Sequence, residues 1–218
     1  MKKSLFIAGL MILKLGLAYA DNPVIDQDWN VNSPIPEGSP VGMTVYQTFS
    51  GLPADPISSV SVDLNISGGY NGVLVGYLVL QDANGNTATE YLLNQMGVTG
   101  ANPFGSSGAG MNVTLTDAGT VNGSIHDAAG VPTGMWLSDS PNTLNGTFGG
   151  LTANGTWTLY LAAPTGGGGT GTLVSWGLDV TTTVVPEPGT NAMLALGGLA
   201  VMGGWMFQRR KTAGLSAK

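Results

Sequence analysis

One histidine, 13 carboxylates and no cysteine bound the chemistry open to this 218-residue chain. A Ser-His-Asp relay would have to use His126 as its base. That residue stands in Gly123-Ser124-Ile125-His126-Asp127, without a nucleophile elbow, and no subtilisin-like motif occurs elsewhere, so His126 reads as a surface-loop histidine. A single histidine also excludes hydrolysis by paired metal-bound imidazoles, and the missing cysteines remove disulfides and thiolate metal sites. Glycosidase chemistry needs two carboxylates at a set separation, and the sequence marks no such pair. Asp82, Asn84 and Asn86 alternate oxygens as the start of a calcium loop does. Gly85 falls too early, however, and no Glu stands twelfth, so the stretch reads as a hairpin turn. Asp117 and Asp127 lie in loop-like segments, where a solvated carboxylate is the default and a metal ligand the alternative. Asn65, Asn112, Asn122, Asn145 and Asn154 each begin an Asn-x-Ser/Thr sequon; in so Asn/Thr-rich a chain these reflect turn and strand chemistry. No catalytic, cofactor-binding or metal-binding residue is expected.

Charge is divided sharply along the chain. Every lysine and arginine lies in the first 14 or last 10 residues, so Leu15–Gln208 carries all 13 acidic groups with His126 as the one possible cation. An acid-only centre repels nucleic-acid phosphates and has no cations with which to displace their counterions, which excludes a DNA or RNA partner. Divalent cations are the better electrostatic match. The two basic clusters also carry a direction, because each can stay cytoplasmic while the middle is exported.

At the N-terminus, Lys2-Lys3, the apolar run Leu5–Leu17 and the small residues Ala18 and Ala20 supply the three parts of a signal peptide. Lys14 interrupts the run, and an uncleaved anchor is the alternative; cleavage before Asp21 is the expectation. At the other end, Ala192–Phe207 is an uncharged run of 16 residues, about 24 Å as a helix at ~1.5 Å per residue. With Asn191 and Gln208 it is long enough to cross a bilayer, and Arg209-Arg210-Lys211 follows as a cytoplasmic stop. Before it, Val185-Pro186-Glu187-Pro188 holds the backbone extended and open to a processing enzyme.

Between these ends the apolar residues alternate with period two, the signature of strands with one packed and one wet face. Val60-Ser61-Val62-Asp63-Leu64-Asn65-Ile66 alternates at every position, as do Met111–Thr116, Trp157–Leu161 and Val174–Val180, while Leu74–Leu80 is nearly continuous. Asn84-Gly85, Asn145-Gly146, Asn154-Gly155 and Thr165–Thr170 read as turns. No helical period precedes Ala192, and residues 21–40 show neither pattern, which leaves them as a disordered extension. The fold class is therefore all-β, an antiparallel β-sandwich, with Trp157 and Trp176 as core anchors rather than sugar-stacking surfaces. The expected organisation is a signal peptide at 1–20, an N-terminal extension at 21–44, the sandwich at 45–183, a Pro-Glu-Pro linker at 184–191, a transmembrane helix at 192–208 and a basic cytoplasmic tail at 209–218.

Two family resemblances attach to these residues. Val185-Pro186-Glu187-Pro188, the apolar run and Arg209-Arg210-Lys211, in that order, resemble the PEP-CTERM sorting signal of Gram-negative bacteria that make exopolysaccharide. That resemblance implies an exosortase partner, a membrane-embedded cysteine transpeptidase cutting near Pro186-Glu187-Pro188, with Glu187 a recognition residue. Asn65–Leu74, the Asp82–Asn86 turn, Asn154-Gly155-Thr156-Trp157-Thr158-Leu159 and Gly171-Thr172-Leu173-Val174-Ser175-Trp176-Gly177-Leu178 resemble the P domain of proprotein convertases over about residues 45–181. There the resemblance implies a jelly-roll-like sandwich that follows a subtilisin-type protease domain, stabilises it and often binds calcium. This chain departs from the pattern at Gly68, at Gly72-Val73-Leu74 and at Ala163 and Gly169, which stand at the family's acidic positions, and calcium is the one cofactor the comparison leaves open.

The leading expectation is a non-enzymatic exported sandwich, passing transiently through the inner membrane to the cell surface or exopolymer matrix for a structural, adhesive or binding role. Two alternatives stand beside it: an accessory module for a separate subtilisin/kexin-like serine endopeptidase, as the P-domain resemblance implies, or a carbohydrate-binding, lectin-like module for extracellular polysaccharide. A carbohydrate module would need exposed aromatic side chains beside a calcium or acidic patch.

Overall fold

The computed structural model describes residues 22–183. Nine strands form two sheets: β1 (Asn22–Pro34), β2 (Ser39–Phe49), β3 (Ile57–Tyr70), β4 (Val75–Asp82), β5 (Thr87–Asn94), β6 (Ala109–Thr116), β7 (Thr133–Trp136), β8 (Gly155–Ala163) and β9 (Thr172–Thr182). One sheet has five strands in the order β1-β9-β3-β6-β7, the other four in the order β2-β8-β4-β5. All pairings are antiparallel except β6 with β7, which run parallel from Asn112↔Thr133 to Leu115↔Trp136. The antiparallel expectation fails at that edge, where β7 is reached through a long loop rather than a hairpin.

Period-two patterning places the core as the sequence requires. Val60, Val62, Leu64 and Ile66 of β3 face Leu78 and Leu80 of β4 and Leu159 and Leu161 of β8 within one buried cluster shared by both sheets. Trp157 and Trp176 are 0% and 1% exposed. Around them Phe148 packs on Trp157 at 5.2 Å between ring centroids and Trp29 on Trp176 at 4.9 Å. Burying each of these rings is worth several kcal/mol on an area basis of ~25 cal/mol per Å².

Three local features differ from the sequence reading. Residues 22–44, expected as an extension, form β1 and the first half of β2. Asn22–Pro34 pairs with β9 from Asn22↔Thr182 to Pro34↔Thr172, and Ile25, Trp29 and Val31 turn onto the core while Asn30 and Asn32 face water, an alternation interrupted by the exposed Gln27. On β9 a register shift opposite Asn65/Ile66 turns Leu173 inward and leaves Val174 half-buried, so the alternation read through Val174 breaks there. Asn145-Gly146 is not a turn between strands. It lies in α1 (Leu144–Phe148), whose cap is Thr143, with its side chain accepting from Gly146 N at 3.0 Å.

Strand direction sets two poles. β9 starts beside the end of β3 (Ser67↔Thr172) and ends beside its start (Ile57↔Thr182). Asn22 also pairs with Thr182, so both ends of the described chain emerge at one pole. The end of β3, the end of β5 and the β8–β9 loop meet at the other, roughly 33 Å away at ~3.3 Å per residue along β9.

Candidate functional site

At the far pole a cleft of about 350 Å³ opens between the β5–β6 loop and the β8–β9 loop. Its floor is a 3-10 turn, Asn71–Val73, directly after β3. Gly72 lies against the first loop so closely that a Cβ there would stand 2.7 Å from Ser106 N. Gly168 does the same on the other side, where a Cβ would meet Val73 Cγ2 at 2.9 Å. Backbone bonds lock both approaches: Gly72 N donates to Ser106 O at 2.8 Å and Tyr70 N to Gly168 O at 2.9 Å.

The walls carry Tyr70, Gln95, Pro103, Phe104 and Thr165, with no ionisable group other than the Tyr70 phenol. Phe104 is 85% exposed and Tyr70 45%. Gln95 holds φ +53°, a left-handed conformation that non-glycine residues adopt at a cost. Its N–H donates to Leu74 O at 2.8 Å and its carbonyl accepts from Val98 N at 3.0 Å, so the surrounding backbone imposes the conformation. Glu37 steadies the glycine-rich wall by accepting from Gly167 N at 2.8 Å and Gly169 N at 3.0 Å. In the resemblance to calcium-binding domains, Gly169 and Ala163 stand where acidic residues would be; here a carboxylate takes backbone amides of the same loop.

His126 is not a free loop histidine. It sits in the 3-10 turn Ile125–Asp127, with Nδ1 at 2.9 Å from Asp139 Oδ2 and Nε2 at 3.2 Å from Val98 O. Both partners are acceptors, so only the imidazolium satisfies both nitrogens. The hydrogen bond to Asp139 is the largest influence raising its pKa; burial opposes it, and the Asp139 charge, the Val98 carbonyl and the Asp127 charge add to the rise. A general base needs a free lone pair on Nε2, and here that atom is turned to a carbonyl. Asp139 also accepts from Asn94 N at 3.0 Å, so the pair joins the end of β5, the start of the β5–β6 loop and the segment after β7.

The other carboxylates read from sequence have structural partners. Asp82 Oδ1 accepts from Asn84 N at 2.9 Å and Asn86 N at 2.8 Å, and Oδ2 from Asn86 Nδ2 at 2.9 Å, closing the β4–β5 turn. Burial pushes this carboxyl up, but the Asn86 side chain and the Asn86, Asn84 and Thr152 backbone amides outweigh it and hold it below the ordinary carboxylate value. Asp117 Oδ2 accepts from Asn145 N at 2.6 Å at the start of α1. Asp127 is exposed beside His126. On the outer face of the five-stranded sheet Asp26 lies directly opposite Asp179, while Asp28 and Asp63 flank Gly177. Among the described residues no group of three or more His, Cys, Asp or Glu is placed to hold a metal ion. The sequons divide as well: Asn145 Oδ1 accepts from Val60 N at 2.8 Å and Asn154 Oδ1 from Leu52 N at 2.9 Å, so both amides brace the fold.

Sequence reasoning missed the cleft. Tyr70 lies inside the Asn65–Leu74 stretch, and the usable signal for Phe104 is an aromatic residue stranded in the turn-rich run Asn102-Pro103-Phe104-Gly105. The expected processing residues Val185, Pro186, Glu187, Pro188, Arg209 and Arg210, the signal-cleavage residues Ala18, Ala20 and Asp21, and the expected membrane helix at 192–208 lie outside the described residues. Among the described residues no helix is long and apolar enough to cross a membrane.

β9 ends at Thr182, and the bond from Thr183 N to Pro56 O at 3.0 Å anchors the chain as it leaves the sandwich. Residues 184–211 match the PEP-CTERM protein-sorting motif. The match thus begins one residue after Thr183, which is anchored at the pole opposite the cleft. No curated protein matches the chain. Among solved structures, the Aeromonas sobria serine protease in complex with a chaperone is similar at 16% identity and a TM-score of 0.46, over 77% of this chain and 28% of that one. The serine protease of Aeromonas sobria by itself gives 17% identity and a TM-score of 0.45, over 76% and 28%. The chain therefore spans little more than a quarter of the length of these structures.

Proposed function

We propose that this protein is an exported, non-catalytic β-sandwich that an exosortase-type transpeptidase sorts to the cell surface or extracellular matrix, where it acts by binding. The PEP-CTERM match at 184–211 carries this reading. Residues 1–20 are the signal peptide that starts export, and residues 192–208 the helix that holds the chain in the inner membrane until the segment around Pro186-Glu187-Pro188 is cut. The charge division supports the same course, since all seven Lys and Arg residues lie in the first 14 or last 10 residues, with Lys2-Lys3 before the first apolar run and Arg209-Arg210-Lys211 after the second. A binding role rather than catalysis is supported by His126, the sole histidine, whose two ring nitrogens are both engaged in holding loops together.

Mass spectrometry of the protein from wild-type and exosortase-deleted cells tests this. A wild-type C-terminus near Glu187, with the full tail retained in the deletion strain, is the expected result. Extracellular material that keeps Arg209–Lys211 in wild-type cells overturns it.

A further inference from the structure

Sorting and core packing leave the cleft at the far pole without a use. A phenylalanine 85% exposed and a tyrosine 45% exposed flank it, although an exported protein gains stability by covering such rings. The same cleft is lined by Gln95 and Thr165, which carry an amide and a hydroxyl, along with glycine-rich backbone. Aromatic faces beside a few neutral hydrogen-bonding groups suit a ligand that is amphiphilic on the same scale, with C–H surface on one side and hydroxyls at its edge. A sugar ring has that character; the exposed aromatics expected of a carbohydrate module are present, and neutral groups stand in place of the calcium or acidic patch expected beside them.

We propose that the cleft between Phe104, Tyr70 and Gln95 is a binding site for a neutral polysaccharide, taking a short stretch of the chain or its end. This deepens the exported-binding reading and rests on it only for access to extracellular polymer.

Four observations carry the proposal. The volume of about 350 Å³ lies near the lower end of the range for small-molecule sites, which fits a short stretch of sugar rather than a protein segment. No lysine or arginine occurs between Leu15 and Gln208, and His126 is committed to Asp139, so an anionic polymer would meet 13 carboxylates and no free counter-charge. The walls are built in advance: Ser106 N donates to Met96 O at 2.8 Å, Asn102 Nδ2 to Gly105 O at 3.0 Å and Gly169 N to Glu37 Oε1 at 3.0 Å, which lowers the ordering cost of binding. Gln95 is held at φ +53°, and residues kept in sparsely populated conformations cluster at ligand clamps. The position agrees as well, since a chain tethered through residues after Thr183 presents the opposite pole to the medium.

Affinity gel electrophoresis of the full-length protein in a sugar-free non-ionic detergent tests the proposal, with hydroxyethylcellulose, laminarin, dextran or galactomannan cast in the gel and alginate as the anionic control. At least one neutral polymer should retard the wild type. Phe104→Ala should weaken that retention roughly tenfold, as expected for one lost aromatic contact, and Gln95→Ala should weaken it less. Tyr46→Ala, which removes another exposed aromatic on the four-stranded sheet, should leave it unchanged. Because Phe104 is exposed, its removal should not alter the melting temperature. Retardation by none of the neutral polymers, equal retardation by alginate, wild-type retention by Phe104→Ala, or loss through Tyr46→Ala instead would each overturn the proposal. The assay involves no exosortase, so its failure leaves the mass of the mature C-terminus free to support sorting.

Discussion

His126 Nδ1 stands 2.9 Å from Asp139 Oδ2 while Gly97 N, in the loop that also carries Phe104, donates to the His126 carbonyl at 2.7 Å. One residue therefore ties the segment after β7 to the base of the cleft wall through both its side chain and its backbone. Its raised pKa gives the tie a pH dependence. The folded value lies above the unfolded ~6.5, so the stabilisation is complete below about pH 6.5 and fades as pH rises through the folded value. His126→Ala should lower unfolding stability by about 1 kcal/mol at pH 5.5, with a much smaller gap at pH 9. Urea titrations at the two pH values measure this, and an equal loss at both would show that the charge has no part in it.

Asp26 and Asp179 make a like-charge cross-strand pair, an arrangement that destabilises antiparallel sheets. Burial first, then the Asp26 and Asp63 charges, raise the Asp179 carboxyl above its ordinary value. A raised carboxyl favours the fold below about pH 3.9 and loses that contribution as pH rises through the folded value. Asp179→Asn should accordingly stabilise the protein at pH 7 by about 0.2–1 kcal/mol and give no benefit at pH 3. Denaturant midpoints of the variant and wild type at both pH values provide the comparison.

Asp82 has the opposite sign. With its carboxyl held below the ordinary value, its contribution is present above about pH 3.9 and is lost as pH falls through the folded value. Asp82→Ala leaves the Asn84 and Asn86 amides of the β4–β5 turn without their acceptor, at a cost of about 2–3 kcal/mol at pH 7. Thermal melts against pH should show the wild type losing its advantage over the variant in acid.

The two core tryptophans should separate under a conservative change. Trp157 Nε1 donates to Ala153 O at 3.1 Å, whereas the buried Trp176 Nε1 has no protein acceptor among the described residues. Trp157→Phe loses ring volume and leaves a carbonyl unpaired; Trp176→Phe loses ring volume while relieving a buried donor of its desolvation cost. Chemical denaturation should therefore find Trp157→Phe the more destabilising by about 1 kcal/mol.

Much of the sandwich was legible because alternation is a local property: β3, β6 and β8 each carry their inward series in consecutive odd or even positions, and those residues are buried. β1 was not. Only Ile25 along its first half is fully buried, and Asp26, Gln27 and Asp28 face water, so the inward positions Ile25, Trp29 and Val31 form no unbroken series and pairing with β9 completes the strand. The break on β9 was equally hidden, because a bulge inverts side-chain parity without leaving a mark in composition. A Thr cap three residues before Gly146 was the available signal for α1, and it was masked by Asn-Gly, which is also a turn dipeptide.

By itself the sequence determined the charge division, the order of the sorting segment and the inward-facing series of the central strands, since each depends on residues close together along the chain. Tertiary structure alone decided the cleft and the His126 tie. The cleft gathers residues 70–73, 95–104 and 165–168 at one pole, and the tie pairs positions 13 apart through a turn and a parallel edge strand. Such sites arise from loop closure over an assembled core, where strand register and the two glycine contacts at Gly72 and Gly168 set which side chains meet.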